Sequence, residues 1–318
     1  MLLLITTNPS IDRLLLVPGF RPAEVARVRE RSDAAGGKGM NAARVARTLG
    51  QPVRICAPLG GQTGQQIAEL AHNEGFEAAW YWMQQGESRI CLLISDPAAH
   101  DTLVINEPGP AMSLSDWAGF AEHVRTTAAH SQAVAFCGSL MPNVPPICLP
   151  ELARALLAQG QQVLVDISGA PLRAILDTPI SLLKINADEL AEALGQPITD
   201  LDAAYQAAKQ VRQRGPQAVI ITMGKEGALG VDASGAYHAT TPPIQAVSTV
   251  GSGDALLAGV ATGLLRGQGF AAALRLGVAC GAANALQIGA GRVDSNQLHT
   301  LLEQSSAHPY SAIQHTNE

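Results

Sequence analysis

The chain has 318 residues, 47% of them hydrophobic and only 15% charged. That balance excludes a largely disordered protein and supplies a substantial buried core, in one large α/β domain or two small ones. A net charge of −6 with no basic block argues against nucleic acid as the main partner.

Residues 2–7 read as a buried first strand, closed by Asn8-Pro9. No basic segment precedes this strand, so it does not read as a signal peptide. Residues 10–17 continue as β-rich sequence. Within 23–33, Val25, Arg27, Arg29 and Arg31 alternate as in a strand with one charged face, which suits a flap or a sheet edge. Asp12, just past the first strand, has two readings: a turn residue, or an acceptor for a sugar hydroxyl. Gly36-Gly37-Lys38-Gly39-Met40-Asn41 opens an Ala-rich helix that runs to about residue 49. A strand at 53–57, a helix at 63–74 and a tryptophan-containing strand at 78–83 follow. Residues 88–95 and 102–106 flank a proline turn and predict a hairpin. Strands at 133–137, 162–167, 181–185 and 217–222 then alternate with helices at 115–128, 147–159, 187–195 and 200–214, with a short helix after 167. Residues 226–240 read as a hairpin, and helices at about 254–266 and 269–287 complete the pattern.

Buried strands alternating with helices predict an α/β fold with a mainly parallel sheet covered on both faces. Residues 12–33 and 88–106 break that rhythm and are expected to form a small β lid on a single domain spanning 1–305. Residues 306–318 show no periodicity and read as a frayed tail. No apolar run approaches 18 uninterrupted residues. The five cysteines (Cys56, Cys91, Cys137, Cys148, Cys280) form no C-x-x-C pair. The expectation is a cytoplasmic protein, not attached to a membrane, with reduced thiols.

Two glycine-rich helix starts carry the chemistry. In Thr249-Val250-Gly251-Ser252-Gly253-Asp254 the glycines let backbone N–H groups converge at a helix N-terminus, which makes an anion site. A carboxylate in that first turn can take a proton from a hydroxyl while the anion site holds the phosphoryl group under attack. Alternatively, Asp254 is an ordinary helix-start residue. The 36–41 stretch is no Walker loop, because glycine follows Lys38 where Ser or Thr is needed. No G-x-G-x-x-G follows a strand, none of the eight histidines has metal-ligand spacing, and Ser139 lies in no G-x-S-x-G elbow.

Taken together, the 36–41 stretch, Asn186-Ala187-Asp188-Glu189 and the 249–254 stretch resemble the signatures of the PfkB (ribokinase-like) carbohydrate kinases, in order and over residues 2–295. Asn8-Pro9-Ser10-Ile11-Asp12, residues 105–110 and Gly138-Ser139-Leu140-Met141-Pro142 resemble its phosphofructokinase branch. The resemblance implies a ribokinase-like fold and an ATP- and Mg²⁺-dependent kinase, with a monovalent cation as an optional activator. The acceptor would be fructose 1-phosphate, fructose 6-phosphate or tagatose 6-phosphate. It further implies Asp254 as base and Gly251, Ser252 and Gly253 as anion hole. Asp12, Arg27, Gly37, Lys38, Asn41, Arg89 and Ser139 would hold the sugar phosphate. Lys184, Asn186, Thr222, Gly224 and Gly227 would hold ATP, and Asn186 and Glu189 would position Mg²⁺, mostly through water. Lys38 and Arg89 are expected to be two cations whose repulsion an anionic ligand relieves. A homodimer through the lid edge is expected. The alternatives are a kinase for an unphosphorylated sugar or nucleoside, and a sugar-phosphate-binding regulator without catalysis.

Overall fold

The computed structural model describes residues 1–21, 23–96 and 101–311. β1 (Leu2–Thr6) is apolar at four of five positions and buried at all of them, as a strand with helices on both sides must be. In chain order there follow β2 (Ser10–Leu16), β3 (Glu30–Gly36), α1 (Lys38–Thr48), β4 (Val53–Leu59), α2 (Gly61–Asn73) and β5 (Ala78–Trp82). Next come β6 (Arg89–Asp96), β7 (Asp101–Asn106), α3 (Leu114–Ala128), β8 (Ala133–Gly138), α4 (Cys148–Ala158), β9 (Gln162–Ile167), α5 (Ala170–Ile175), β10 (Leu182–Asn186) and α6 (Ala187–Leu194). The chain continues through α7 (Leu201–Arg214), β11 (Val219–Thr222), β12 (Ala228–Asp232), β13 (Gly235–Thr240), α8 (Ser252–Leu265), α9 (Phe270–Ala285), α10 (Ser295–Gln304) and β14 (Ser306–Pro309).

Ten strands form the main sheet, in the order β14-β13-β12-β11-β10-β9-β8-β1-β4-β5. Every pairing from β11 to β5 is parallel, and β12, β13 and β14 extend one edge antiparallel. Residues of α1, α2, α8, α9 and α10 cover one face, and residues of α3 to α7 the other. α8 and α9 lack a polar face because they are enclosed on nearly all sides. The parallel strands deliver their C-terminal ends to one rim, where open α/β sheets bind ligands. β3-β2-β6-β7 make a separate four-stranded sheet, with β2 and β6 parallel and the outer pairs antiparallel. The turn expected between β6 and β7 lies in part outside the described residues.

Two expectations need correction. The strand expected at 23–33 is instead β3, paired with β2 from Leu16↔Glu30 to Ser10↔Gly36. The Val25–Arg31 alternation misled because most of it lies before the paired segment, where Val25 is 88% exposed. The tail expected to fray contains β14, paired with β13, and Tyr310 donates its amide to Ala236 O at 2.8 Å. Four residues carry too short a pattern to reveal a strand; the open edge of β13 provides the pairing. α10 was also missed, although Asp294 caps it by accepting from the Asn296 and Gln297 amides.

Candidate active site

The site is built where α8 begins. Gly251 precedes it with φ of 83°, a left-handed conformation that glycine adopts without strain. Ser252 turns its own amide back to Thr249 O at 3.2 Å, and its hydroxyl accepts from Asn284 Nδ2 at 3.3 Å. Of the amides expected to form an anion hole at 251–253, the Ser252 N–H is engaged, whereas Gly253 N–H lies in the first turn, where no intrahelical acceptor exists.

Asp254, one residue further, is buried. Asn41, on the inner face of α1, donates Nδ2 to Asp254 Oδ2 at 2.9 Å. Burial pushes the Asp254 carboxyl up to about 6, with Lys38 pulling it down, Asp166 pushing it further up, and Lys184 and the Asn41 amide pulling down. A carboxyl held there is ionised at neutral pH yet still basic enough to accept a proton.

Asp166, at the end of β9, is the residue that sequence reasoning missed. It is 1% exposed and accepts from Lys38 Nζ at 3.1 Å and from Lys184 Nζ at 2.8 Å. Burial would raise its carboxyl, but the two ammonium groups outweigh burial and hold it below the usual range. For Lys38, burial pulls downward, and Asp166, Asp254 and Glu189 more than reverse it. The only sequence signal was a lone acid closing an otherwise apolar strand, Gln162-Val163-Leu164-Val165-Asp166-Ile167. A charge in that position demands a partner. The pairing also corrects the expectation about Lys38: its charge is matched within the chain and does not wait for a ligand.

Lys184 lies at the bottom of the site, 4% exposed, and a Cβ placed on Gly253 would stand 2.6 Å from its Nζ. Its ammonium thus faces the backbone of the first turn of α8. On one side opens a cleft of about 920 Å³ lined by Asn186, Thr222, Gly224, Gly227, Thr249, Ser252 and Gly253 among others. This volume suits a nucleotide. Lys184 and Glu189 are not among its lining residues. Asn186 caps α6, its Oδ1 accepting from the Glu189 amide at 2.7 Å. Among the described residues no group of three or more His, Cys, Asp or Glu could hold a metal. A donor pair of one carboxylate, Glu189, and one amide oxygen, Asn186, fits an ion that keeps most of its waters, as Mg²⁺ does.

On the other side lie the residues expected to hold the sugar phosphate. Asp12 accepts from Ser10 Oγ at 2.7 Å. Burial raises its carboxyl, opposed by Ser10, by Arg44, by the Gly37 amide and by Arg89. Asn8 ties two further candidates together: Nδ2 donates to Ser139 Oγ at 3.3 Å, and its carbonyl accepts from Arg89 Nη2 at 2.9 Å. Arg89 Nη1 donates to Glu107 O at 2.8 Å, while its Nε and Asn8 Oδ1 are buried without a partner among the described residues. Arg27 is not brought to this group by β3; it lies in the exposed stretch before that strand.

A family model described as pfkB family carbohydrate kinase matches residues 5–297. Phosphofructokinase-2 from Escherichia coli, solved in a tetrameric inhibited form, superposes with a TM-score of 0.88 at 28% identity, covering 95% of this chain and 98% of that one. The same enzyme in complex with fructose-6-phosphate gives 0.87 at 26% identity with equal coverage. A Thermotoga maritima protein described as a possible 1-phosphofructokinase has a TM-score of 0.88 at 20% identity, covering 98% of this chain and 100% of that one. Arabidopsis thaliana ribokinase, complexed with ribose and ATP, shares the fold at 0.74 and 20% identity, covering 95% of this chain and 98% of that one. Among the described residues no helix is long and apolar enough to cross a membrane.

Proposed function

The chain belongs to the pfkB family of carbohydrate kinases and is an ATP-dependent sugar kinase, and from that premise we propose that it phosphorylates a hexose phosphate, with Asp254 as base. The observation that carries this reading is a buried, raised carboxyl at a helix N-terminus, with a nucleotide-sized cleft on one side and a polar cage on the other. The acceptor hydroxyl oxygen attacks the γ-phosphorus, the bond from that phosphorus to the ADP oxygen breaks, and the hydroxyl proton passes to Asp254. Lys184 and the first turn of α8 stabilise charge on the phosphoryl group in flight. Asn186 and Glu189 would hold Mg²⁺, which when bound would supply neutralisation of phosphate charge. Thr222, Gly224 and Gly227 line the nucleotide.

A phosphorylated acceptor is favoured by the Arg89–Asn8–Ser139 group beside Asp12. Arg89 has an unused N–H there, and Arg forks match phosphate oxygens. Lys38 donates to Asp166 and its charge bears on Asp254, so its role is shared between acceptor and base. The E. coli relative with bound fructose-6-phosphate supports the same class of acceptor. The lid closes over the sugar and excludes water. Its outer strand β7 exposes Leu103, Val104 and Ile105, which suits pairing with a second copy, in line with an oligomeric relative.

The test is coupled ADP release with fructose 1-phosphate, fructose 6-phosphate, tagatose 6-phosphate, ribose and adenosine. Turnover is expected on a phosphorylated hexose. A preference for ribose or adenosine overturns the acceptor class, and tight sugar-phosphate binding without turnover indicates a regulator.

A further inference from the structure

Arg44 lies on α1, three residues after Asn41, and is 8% exposed. Nothing in the proposed chemistry uses it, yet its guanidinium is engaged on every nitrogen. Nε and Nη2 donate to the two oxygens of Glu74, just past α2, the Nη2 contact being 2.7 Å. Nη2 also donates to Ala35 O, and Glu74 Oε1 accepts from the Ala35 amide at 3.3 Å. Nη1 donates to Asn41 Oδ1 at 3.0 Å. Phe76 packs beneath, with the Arg44 Cζ 5.9 Å from its ring centre.

An asparagine amide can present either its oxygen or its nitrogen to a given neighbour. Arginine has donors only, so the nitrogen it faces must be matched by an oxygen. Arg44 therefore obliges Asn41 to turn Oδ1 toward α2 and Nδ2 toward Asp254. The opposite orientation would aim an amide oxygen at a carboxylate. We propose that Arg44 is a positioning residue: by fixing the amide of Asn41 it keeps an N–H on Asp254, and through Ala35 it joins the root of lid strand β3 to that same amide. This rests on Asp254 being the base. The other groups that bear on Asp254 are Lys38 of α1, Asp166 of β9 and Lys184 of β10. Those facing Arg44 are Glu74 and Asp12.

The test compares kcat, its pH profile and thermal unfolding in Arg44→Lys, Asn41→Ala and the double variant. Lysine keeps a cation against Glu74 but is a point charge without the fork that reaches Asn41 at the same time. Arg44→Lys is expected to fold with a lowered unfolding temperature, because buried acceptors lose a donor, to lose kcat by about tenfold as one hydrogen bond to a charged group is weakened, and to move the acidic limb of the profile to higher pH. In the Asn41→Ala background the same change should cost no further activity and move the limb no further. Arg44→Lys with parental kcat overturns the proposal, and so does an equal loss with and without Asn41. Should the lysine variant fail to fold, Arg44→Gln with Glu74→Gln removes both charges and is read by the same comparison. Asp254→Asn separates the two ideas: full turnover in that variant sinks the base, whereas an inactive Asp254→Asn beside additive Arg44 and Asn41 effects sinks only the role of Arg44.

Discussion

At the scale of single residues the site is a chain of matched charges around one carboxyl. Asp254 rises from an ordinary 3.8 to about 6 because it is buried. A carboxyl raised by folding favours the native state in its protonated form. That contribution is complete below about pH 4 and is lost as pH rises through about 6. At neutral pH the ionised Asp254 therefore costs on the order of 3 kcal/mol. Asp254→Asn, uncharged at every pH, should be more thermostable than the parent at pH 7 to 8, with the difference closing toward pH 4. Its kcat should fall roughly 10²–10⁴-fold, the usual worth of a positioned acid–base group. An unchanged kcat would show that Asp254 is not the base, and a stability gain that does not depend on pH would show that folding does not raise its carboxyl. Lys38 and Arg89, paired by sequence reasoning as two ligand cations, should now part company. Lys38→Met removes the largest charge lowering Asp254, so kcat should fall and the acidic limb of the rate profile move to higher pH. Arg89→Ala breaks two hydrogen bonds, to Asn8 O and Glu107 O, so it should lower the unfolding temperature and raise KM for the sugar phosphate while KM for ATP stays put. A shared phenotype would restore the original pairing.

At the scale of elements, the nucleotide side depends on how β12 starts. Gly227 has φ of 83°, and a Cβ there would stand 2.1 Å from Ala239 O of the paired strand β13. Gly227→Ala must therefore adopt a left-handed alanine and push β13 away. A loss of about 2 kcal/mol or more in stability is expected, with a raised KM for ATP measured alongside. Wild-type ATP affinity would mean that this turn does not shape the cleft. The same elements show what was legible in sequence. β1, β8, β9 and β10 are short, mostly apolar runs and the last three alternate with helices, so strand type, parallel pairing and the position of α8 followed from pattern alone. Helix-start glycines with Asp254 marked the proposed anion site for the same local reason. β3 and β14 owe their limits to a partner strand, a relation no local pattern carries. Asp166 showed only as a lone acid in an apolar strand, because its partners, Lys38 and Lys184, stand 128 and 18 residues away. The Asn8 tie between Ser139 and Arg89 is likewise tertiary, spanning 131 and 81 residues.

At the scale of the whole molecule, the lid sheet leaves apolar surface uncovered. Leu103, Val104 and Ile105 of the edge strand β7 are 46%, 37% and 45% exposed. Consecutive strand residues point to opposite faces, so no one-residue slip within the chain hides all three. Val25 and Val28, in the segment leading to β3, are exposed as well. An apolar edge strand with open backbone groups is an aggregation hazard unless something pairs with it. A second copy of the lid answers that need, because an isologous contact sets the same strand against itself and closes at two subunits. The parent protein should therefore sediment as a dimer at micromolar concentration. Val104→Lys puts a charge into the contact and should shift the protein toward monomer with its unfolding cooperativity intact. A monomeric parent, or a Val104→Lys variant that stays fully dimeric, would mean that the lid edge is not the interface.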